Sequence, residues 1–297
     1  MGAVVRLHDA PPALLAAVAA GLGRYPDDLG LTGEMLVRCV VVDDDPAIDP
    51  AWPRMTAADG AAMLVVRCGS AVATLQYATG DVLLQLPESI LAVQDALRLL
   101  VESVFTAYHV RRGDLHAVHS ALVAQDGVGL VLRGPSGAGK STLTYSCLRR
   151  GMSVCSDDWL YAPARRPAGR FAGYPWRMMM TEDAASRFAE LASVATVPHP
   201  AAEGRKVPVL PPEGQQLATS SASAVVLLDP SPELSLVAVD AAEALERFWA
   251  PALPTEREHL TDAWVRSLLD RPVYVLRRGT DPQAAAQVLA DLAVSLR

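Results

Sequence analysis

The sequence lacks an excess of positive charge, and this absence limits the partners that we expect for it. Lys and Arg together number 26, against 33 Asp and Glu, so the formal net charge at pH 7 is −7. Proteins that bind nucleic acid usually present a basic surface to the phosphates. We therefore expect a globular protein that has no nucleic-acid partner.

A long apolar run is also missing. The most apolar early stretch, Ala13 to Leu22, is about ten residues long and follows Asp9 and two prolines. A membrane helix needs about 20 apolar residues, and a secretion signal begins with cationic residues. Neither description fits this stretch. We therefore expect a cytoplasmic protein that has no membrane partner.

The cysteines lack the spacing of metal ligands. Cys39, Cys68, Cys147 and Cys155 form no Cys-x-x-Cys motif and no Cys/His ligand pattern. Disulfides are rare in a reducing compartment, and free cysteine is among the most buried residue types. We expect all four cysteines to be small buried hydrophobic residues.

The first third of the chain contains short apolar runs that are separated by turn residues. Runs of this kind predict the strands of an antiparallel meander. The predicted strands are Met35 to Val42, Met63 to Cys68, Val72 to Tyr77 and Val82 to Leu86.

A change of period follows these strands. From Ser89 to about His109, apolar residues recur at steps of three and four, which predicts an amphipathic helix with Ser89 as its N-cap. A polar turn comes directly after the helix. We expect a smaller N-terminal α+β domain over residues 1–108 and a second domain over residues 109–297.

The second domain begins with the element order of an open α/β nucleotide-binding sheet. Strands are predicted at Ser120 to Ala124 and at Gly129 to Arg133, and the second strand runs directly into a glycine-rich loop. A helix from Lys140 to Arg150 and a strand from Met152 to Cys155 follow. The last strand ends at an acidic pair, Asp157 and Asp158.

The glycine-rich loop fits the pattern Gly-x4-Gly-Lys-Ser/Thr at every position. Its residues are Gly134, Pro135, Ser136, Gly137, Ala138, Gly139, Lys140 and Ser141. In such a P-loop the glycines let backbone amides turn towards the β-phosphate, and the following helix presents its positive end to the same charge. Lys140 would reach the β- and γ-phosphates, and the Ser141 hydroxyl would bind Mg²⁺.

The acidic pair and one histidine are further candidates for the site. One carboxylate can serve the metal, and the other can accept a proton from an attacking hydroxyl. Spacing does not decide between them; we assign Asp157 as the base and Asp158 to the metal side, and the alternative is a solvated turn. His119 stands at the start of the strand that should pair beside the P-loop strand. A lone histidine at a strand end is more often a packed or solvated residue than a catalytic one.

Together these residues resemble a known family. Four parts of the chain are similar to the catalytic core of HPr kinase/phosphorylase and of the HPr-kinase-related kinases. They are the segment from Val118 and His119, the P-loop, Arg150 with Gly151, and Ser156 to Asp158. The distances along the chain between these motifs also resemble that family. The resemblance covers about residues 116 to 160 well and the remainder only in outline.

The resemblance implies a fold, a reaction and the roles of several residues. The fold would be a P-loop sheet akin to the nucleotide-binding part of phosphoenolpyruvate carboxykinase, and the reaction would be ATP- and Mg²⁺-dependent phosphorylation of a serine hydroxyl on a protein. His119 would be the active-site histidine. Asp157 would deprotonate the substrate serine. Because the family forms hexamers, a homo-oligomer is a possible assembly.

The sequence also departs from the family. Thr142 stands where HPr kinase has Glu, and we include it with the nucleotide-binding residues. In place of the second Gly-rich signature stands a proline-rich stretch with Gly204, Arg205 and Lys206. Such a loop can be a lid whose Arg205 and Lys206 approach the γ-phosphate, or a solvated loop with two ordinary charges.

The acceptor of the phosphoryl group is open in the sequence. Our preferred hypothesis is a serine of a ribosomally made precursor peptide, such as that of a lasso peptide. Some of the HPr-kinase-related kinases resemble tailoring enzymes that phosphorylate a serine of such a peptide. The N-terminal domain would recognise the peptide. The alternatives are a small-molecule kinase and an ATP-binding or ATP-hydrolysing sensor.

Overall fold

The computed structural model describes residues 3–25, 29–44, 55–166, 168–198 and 205–297. The chain divides into two compact units. The first unit comprises Met1–Leu115 and Thr196–Lys206, and the second comprises His116–Ala195 and Val207–Arg297. The domain boundary that we expected near residue 108 falls inside a helix that continues to Arg111.

The described residues of the first part of the chain form six strands and two helices. They are β1 (Val4–His8), α1 (Pro12–Gly21), β2 (Glu34–Val42), β3 (Met55–Asp59), β4 (Met63–Cys68), β5 (Ala71–Gln76), β6 (Asp81–Pro87) and α2 (Gln94–Arg111). The strands form one sheet in the order β1-β2-β6-β5-β4-β3.

Three of the four predicted strands of this unit form the expected meander. β4, β5 and β6 pair antiparallel, as their short turns require. β2 is the exception, because it pairs parallel with β6, from Leu36 opposite Asp81 to Val42 opposite Pro87. The prediction of a purely antiparallel meander was therefore wrong for β2, and the reason is that a long connection can return a strand in either direction.

The predicted helix of the first unit begins later than its sequence pattern suggested. Glu88–Ala92 form a short 3₁₀ turn, and α2 starts at Gln94 with Val93 as its N-cap residue. Ser89 therefore does not cap α2; its amide donates instead to the Asp44 side chain. The apolar residues of α2 are buried as their period predicted, among them Leu97, Leu100 and Val104.

The remainder of the chain, as far as the structure describes it, forms twelve strands and six helices. They are β7 (Leu115–His119), β8 (Ala121–Gln125), β9 (Val128–Arg133), α3 (Lys140–Arg149), β10 (Ser153–Ser156), β11 (Trp159–Pro163), β12 (Arg170–Ala172), β13 (Met178–Thr181), α4 (Glu182–Ala185), β14 (Val197–Pro198), β15 (Arg205–Val209), β16 (Thr219–Asp229), β17 (Leu234–Ala238), α5 (Ala241–Trp249), α6 (Pro254–His259), α7 (Asp262–Leu269), β18 (Val273–Arg278) and α8 (Pro282–Ser295).

The main sheet of the second unit is mixed, with a parallel centre. β16 pairs parallel with β9 on one side and with β18 on the other. β8 pairs antiparallel with both β9 and β10, and β17 closes the other end against β18. The carboxyl ends of β9, β16 and β18 therefore lie at one edge of the sheet, where open α/β folds hold ligands.

Helices cover both faces of this sheet. Leu130 and Leu132 of β9 share a buried cluster with residues of α3 and α8. Val131 points to the other face and shares a second cluster with residues of α5 and α7, including Phe248. β9 is therefore buried on both faces, which accounts for its continuous apolar sequence. The chain has the mixed α/β architecture that its sequence predicted.

The structure also bears on two expectations about composition. All four cysteines are buried and none forms a disulfide, and burial raises the pKa of the Cys147 and Cys155 thiols to about 12. They are therefore packing residues, as predicted. In the part of the chain that the structure describes, no helix is long and apolar enough to cross a membrane.

Candidate functional site

The glycine-rich loop lies between β9 and α3, in the position that the sequence predicted. Gly137 and Gly139 have φ angles of +79° and +92°, in the left-handed region that residues with a Cβ rarely adopt. Gly139 is also the N-cap residue of α3. The first amides of α3, which have no partner within a helix, therefore open towards the loop.

Gly134 is required by a close approach at the base of the loop. A Cβ added at this position would lie 3.0 Å from Cβ of Leu228 and 3.1 Å from Cβ of Ala138. Leu228 is near the carboxyl end of β16, the parallel neighbour of β9. The loop thus begins in tight contact with the adjacent strand, which fixes its position.

Lys140 is buried and points back along the loop. Its Nζ donates hydrogen bonds to the carbonyl oxygens of Gly134, at 2.9 Å, and Pro135, at 3.3 Å. Burial lowers the pKa of Lys140; Asp158, Glu256 and Asp157 oppose that shift and Arg133 adds to it. The charges of these four residues therefore act on the pKa of Lys140.

His119 and Asp158 form a direct contact. Nε2 of His119 lies 3.0 Å from Oδ1 of Asp158, and the imidazole packs against the Trp159 ring at a centroid distance of 5.4 Å. The His119 side chain is 14% exposed and the Asp158 side chain is 61% exposed. The carboxylate therefore remains open to a ligand while the histidine holds it.

Asp157 has a different environment from its neighbour. It is buried, and its Oδ2 accepts a hydrogen bond of 3.4 Å from the amide of Met179 in β13. The amide of Asp158 donates to Oγ of Ser156, which forms a tight turn at the end of β10. The turn directs the two carboxylates into two environments, one buried and one open.

A buried ion pair supports the loop and the histidine together. Nη1 of Arg133, the last residue of β9, lies 2.8 Å from Oε1 of Glu256 in α6, and neither side chain is more than 1% exposed. The same Oε1 accepts the amide of His119 at 2.9 Å. The Arg133 guanidinium also covers the Phe248 ring at 3.9 Å and donates to the Phe248 carbonyl at 2.7 Å.

The sequence did not predict this pair. Arg133 and Glu256 are separated by 123 positions, and no local period or motif relates them. One signal was available: Arg133 stands at the end of a strand that is otherwise wholly apolar, directly before the first loop glycine. A charge at a position that must be buried requires a buried partner.

Arg205 and Lys206 belong to the first unit. The Arg205 side chain donates to the Thr196 hydroxyl at 2.7 Å and also to the Thr196 carbonyl. Gly204 and most of the proline-rich stretch before it lie outside the described residues. The γ-phosphate role of Arg205 and Lys206 remains a prediction.

The loop and the acids suit a nucleotide that carries Mg²⁺. Magnesium keeps several waters and takes one or two protein oxygens together with phosphate oxygens, so it does not need a cage of side chains. The described residues contain no cluster of three or more His, Cys, Asp or Glu. The Ser141 hydroxyl at the start of α3 and the open Asp158 carboxylate are oxygen ligands of the kind that such an ion takes.

Comparisons with known proteins include a distant similarity to a solved structure. No family model matches the chain, and no curated protein matches its sequence. Among solved structures, the chain is similar to the HPr(Ser) kinase/phosphatase from Coxiella burnetii, with a TM-score of 0.31 and 11% sequence identity. The alignment covers 61% of this chain and 98% of that chain. This is a distant similarity of fold, and it does not place the chain in that family.

Proposed function

We propose that this protein is an ATP- and Mg²⁺-dependent kinase that transfers the γ-phosphoryl group to a serine hydroxyl. The observation that carries the proposal is the grouping around the glycine loop. Lys140 lies within electrostatic reach of both Asp157 and Asp158, and His119 contacts Asp158. A loop for phosphates, a cation, two carboxylates and a histidine are the parts that phosphoryl transfer uses.

The loop binds the nucleotide in this proposal. Backbone amides from Gly134 to Ser141, with Thr142 at the next position of α3, surround the β-phosphate. Lys140 exchanges its two carbonyl partners for phosphate oxygens, since a charged acceptor forms the stronger hydrogen bond. Ser141 and Asp158 hold the metal, which offsets negative charge on the β- and γ-phosphates.

The acidic pair then divides the chemistry. The serine Oγ attacks the γ-phosphorus, the bond from that phosphorus to the bridging oxygen breaks, and ADP leaves. Asp157 accepts the hydroxyl proton, because its buried position removes competing water. His119 keeps Asp158 in the orientation that the metal requires through the 3.0 Å contact. Positioning and electrostatics supply most of the rate enhancement in such a transfer.

The acceptor is proposed to be a serine in a protein or peptide. The preferred substrate is a ribosomally made precursor peptide of the lasso type, and this preference is supported by the resemblance of the sequence motifs. The first unit, with its six-stranded sheet, is proposed to recognise the peptide. Recognition by a separate unit lets one catalytic centre serve a long flexible substrate.

The experiment is a binding and transfer assay on the full chain. Fluorescent ATP and Mg²⁺ are titrated into the wild type, Lys140→Ala and a control, Arg149→Ala, which removes an exposed cation from the same helix. We expect Lys140→Ala to lose transfer to serine peptides, measured by mass spectrometry, while Arg149→Ala keeps it. Absence of ATP binding in the wild type would overturn the proposal, and transfer to small hydroxyl compounds alone would contradict the peptide acceptor.

A further inference from the structure

Arg278 lies beside the glycine loop although it is far away in sequence. It is the last residue of β18, whose carboxyl end shares an edge of the sheet with β9 and β16. A Cβ added to Gly139 would lie 3.3 Å from Nε and 3.6 Å from Cζ of Arg278. The guanidinium therefore packs against the bare face of the glycine that starts α3.

The backbone beside Arg278 is held in place. Gly279 has a φ of +65°, and its amide donates to the carbonyl oxygens of Ser231 and Glu233, both at 3.1 Å. A Cβ on Gly279 would lie 3.2 Å from Cβ of Leu234. The turn after β18 is thus fixed against the connection between β16 and β17, and this contact holds Arg278 beside the glycine loop.

Among the residues that the structure describes, no carboxylate forms an ion pair with the Arg278 side chain. Its Nε is buried and has no hydrogen-bond partner among the described residues. Nη1 reaches only the carbonyl of the next residue, Gly279, at 3.5 Å. A buried donor without a partner is unfavourable, so such a group in a folded protein needs an explanation.

Two other arginines at this edge of the sheet lie close to a carboxylate. Arg133 is paired with Glu256, and Arg277, the immediate neighbour of Arg278, lies 3.8 Å from a Glu233 oxygen. No salt bridge within the described ranges joins Arg278 to a carboxylate. An arginine that is fixed at a phosphate-binding loop and left without an anion is suited to receive one, because its planar fork matches a phosphate group.

We infer that Arg278 binds a β-phosphate oxygen of the nucleotide. The assignment to the β-phosphate follows from Gly139, because the end of the loop and the start of the helix wrap that phosphate. The inference rests on the proposed nucleotide site. Arg278 adds to it a cation on the side opposite the catalytic carboxylates, and that cation holds ATP and ADP alike.

The test is the affinity of full-length Arg278→Ala for ATP, ADP and adenosine in the presence of Mg²⁺, with Arg277→Ala as the matched control. Loss of one charge-assisted hydrogen bond should weaken ATP and ADP binding by the same factor, about 10- to 100-fold. Adenosine binding should not change, and the control should bind like the wild type. Arg278→Lys should recover part of the affinity, because it keeps the charge but not the fork.

The possible outcomes separate this inference from the proposed function. Wild-type affinity in Arg278→Ala, with normal binding in the wild type, overturns the role of Arg278 and leaves the kinase proposal standing. A wild type that binds neither nucleotide overturns the kinase proposal itself. A loss for ATP alone indicates a γ-phosphate contact and contradicts the β-phosphate assignment. If Arg278→Ala fails to fold, Arg278→Lys decides, since an unchanged affinity for both nucleotides would show that the guanidinium makes no contact of its own with the β-phosphate.

Discussion

Nε2 of His119 lies 3.0 Å from Oδ1 of Asp158, and the amide of the same histidine donates to Oε1 of Glu256. His119 is therefore held at two points, one on its backbone and one on its ring. The backbone contact connects it to the buried Arg133 at the start of the glycine loop. A displacement of α6 would consequently move both the glycine loop and the turn that carries Asp157 and Asp158.

The two aspartates should respond differently to the loss of charge. Asp157→Asn keeps the shape but cannot accept a proton, so turnover should fall by about 10² to 10⁴ while ATP affinity is nearly kept. Asp158→Asn should weaken the Mg²⁺–ATP complex, and excess Mg²⁺ should restore part of the activity. Steady-state kinetics at several Mg²⁺ concentrations measure both effects. Exchanged phenotypes would reverse the two roles, and wild-type rates in both variants would refute the mechanism.

Replacement of His119 should affect catalysis more than folding. His119→Ala loses the 3.0 Å contact to Asp158 but keeps its backbone hydrogen bond to Glu256. We expect kcat to fall by roughly 10- to 100-fold, because a misplaced carboxylate no longer orients the metal. The control is His8→Ala, on an exposed position of β1. An equal loss in both variants would point to a general effect of histidine replacement.

Removal of Glu256 should destabilise the second unit. Glu256→Ala leaves the Arg133 guanidinium buried without a counter-charge, which typically costs about 3–5 kcal/mol. Glu258→Ala, two residues further along the chain and exposed, is the matched control. Urea unfolding followed by circular dichroism gives the free energy of unfolding for both variants. If Glu256→Ala costs no more than its control, the ion pair is not a structural support.

Stability should depend on the titration of His116. Burial, and next the charge of His259, lower the pKa of His116 from 6.5 to about 4 in the folded protein. The unfolded chain then binds the proton more readily, so stability falls as the pH drops from about 6.5 to about 4. This histidine alone should cost roughly 2 kcal/mol between pH 7.5 and pH 5.

The measurement is urea unfolding at both pH values for the wild type and for His116→Phe, which keeps an aromatic ring against Trp264. The variant should lose less stability on acidification than the wild type. Equal losses in the two proteins would show that His116 is already exposed or already protonated in the folded state.

The sequence predicted the elements whose determinants are local. β9, the glycine loop and α3 follow from an apolar run, two glycines with positive φ and a helix start, all within about 20 residues of chain. The parallel pairing of β2 with β6 could not be predicted in this way, because side-chain alternation is the same in either strand direction.

The contacts that the sequence missed are long-range and charged. Arg133 and Glu256 meet only after α6 has come to lie beside the end of β9, and Arg278 meets Gly139 only because β16 pairs with both β9 and β18. Arg133, Glu256 and Arg278 belong to no recognisable motif, so only the three-dimensional arrangement relates them to the site. Capping by Ser89 failed for a different reason, because the chain forms a 3₁₀ turn before α2 and places Val93 at the helix start.

The parallel pairing of β9 with β16 also has a consequence for biosynthesis. β9, the strand before the glycine loop, leaves the ribosome well before Thr219–Asp229, the segment that pairs with it from Gly129 to Arg133. Until β16 is made, β9 has an open apolar edge, and edges of this kind are prone to aggregation. Closing so long a connection is slow, because its entropy is lost before the contacts form. The nascent chain should therefore depend on chaperones most strongly while the segment between residues 134 and 218 is being translated.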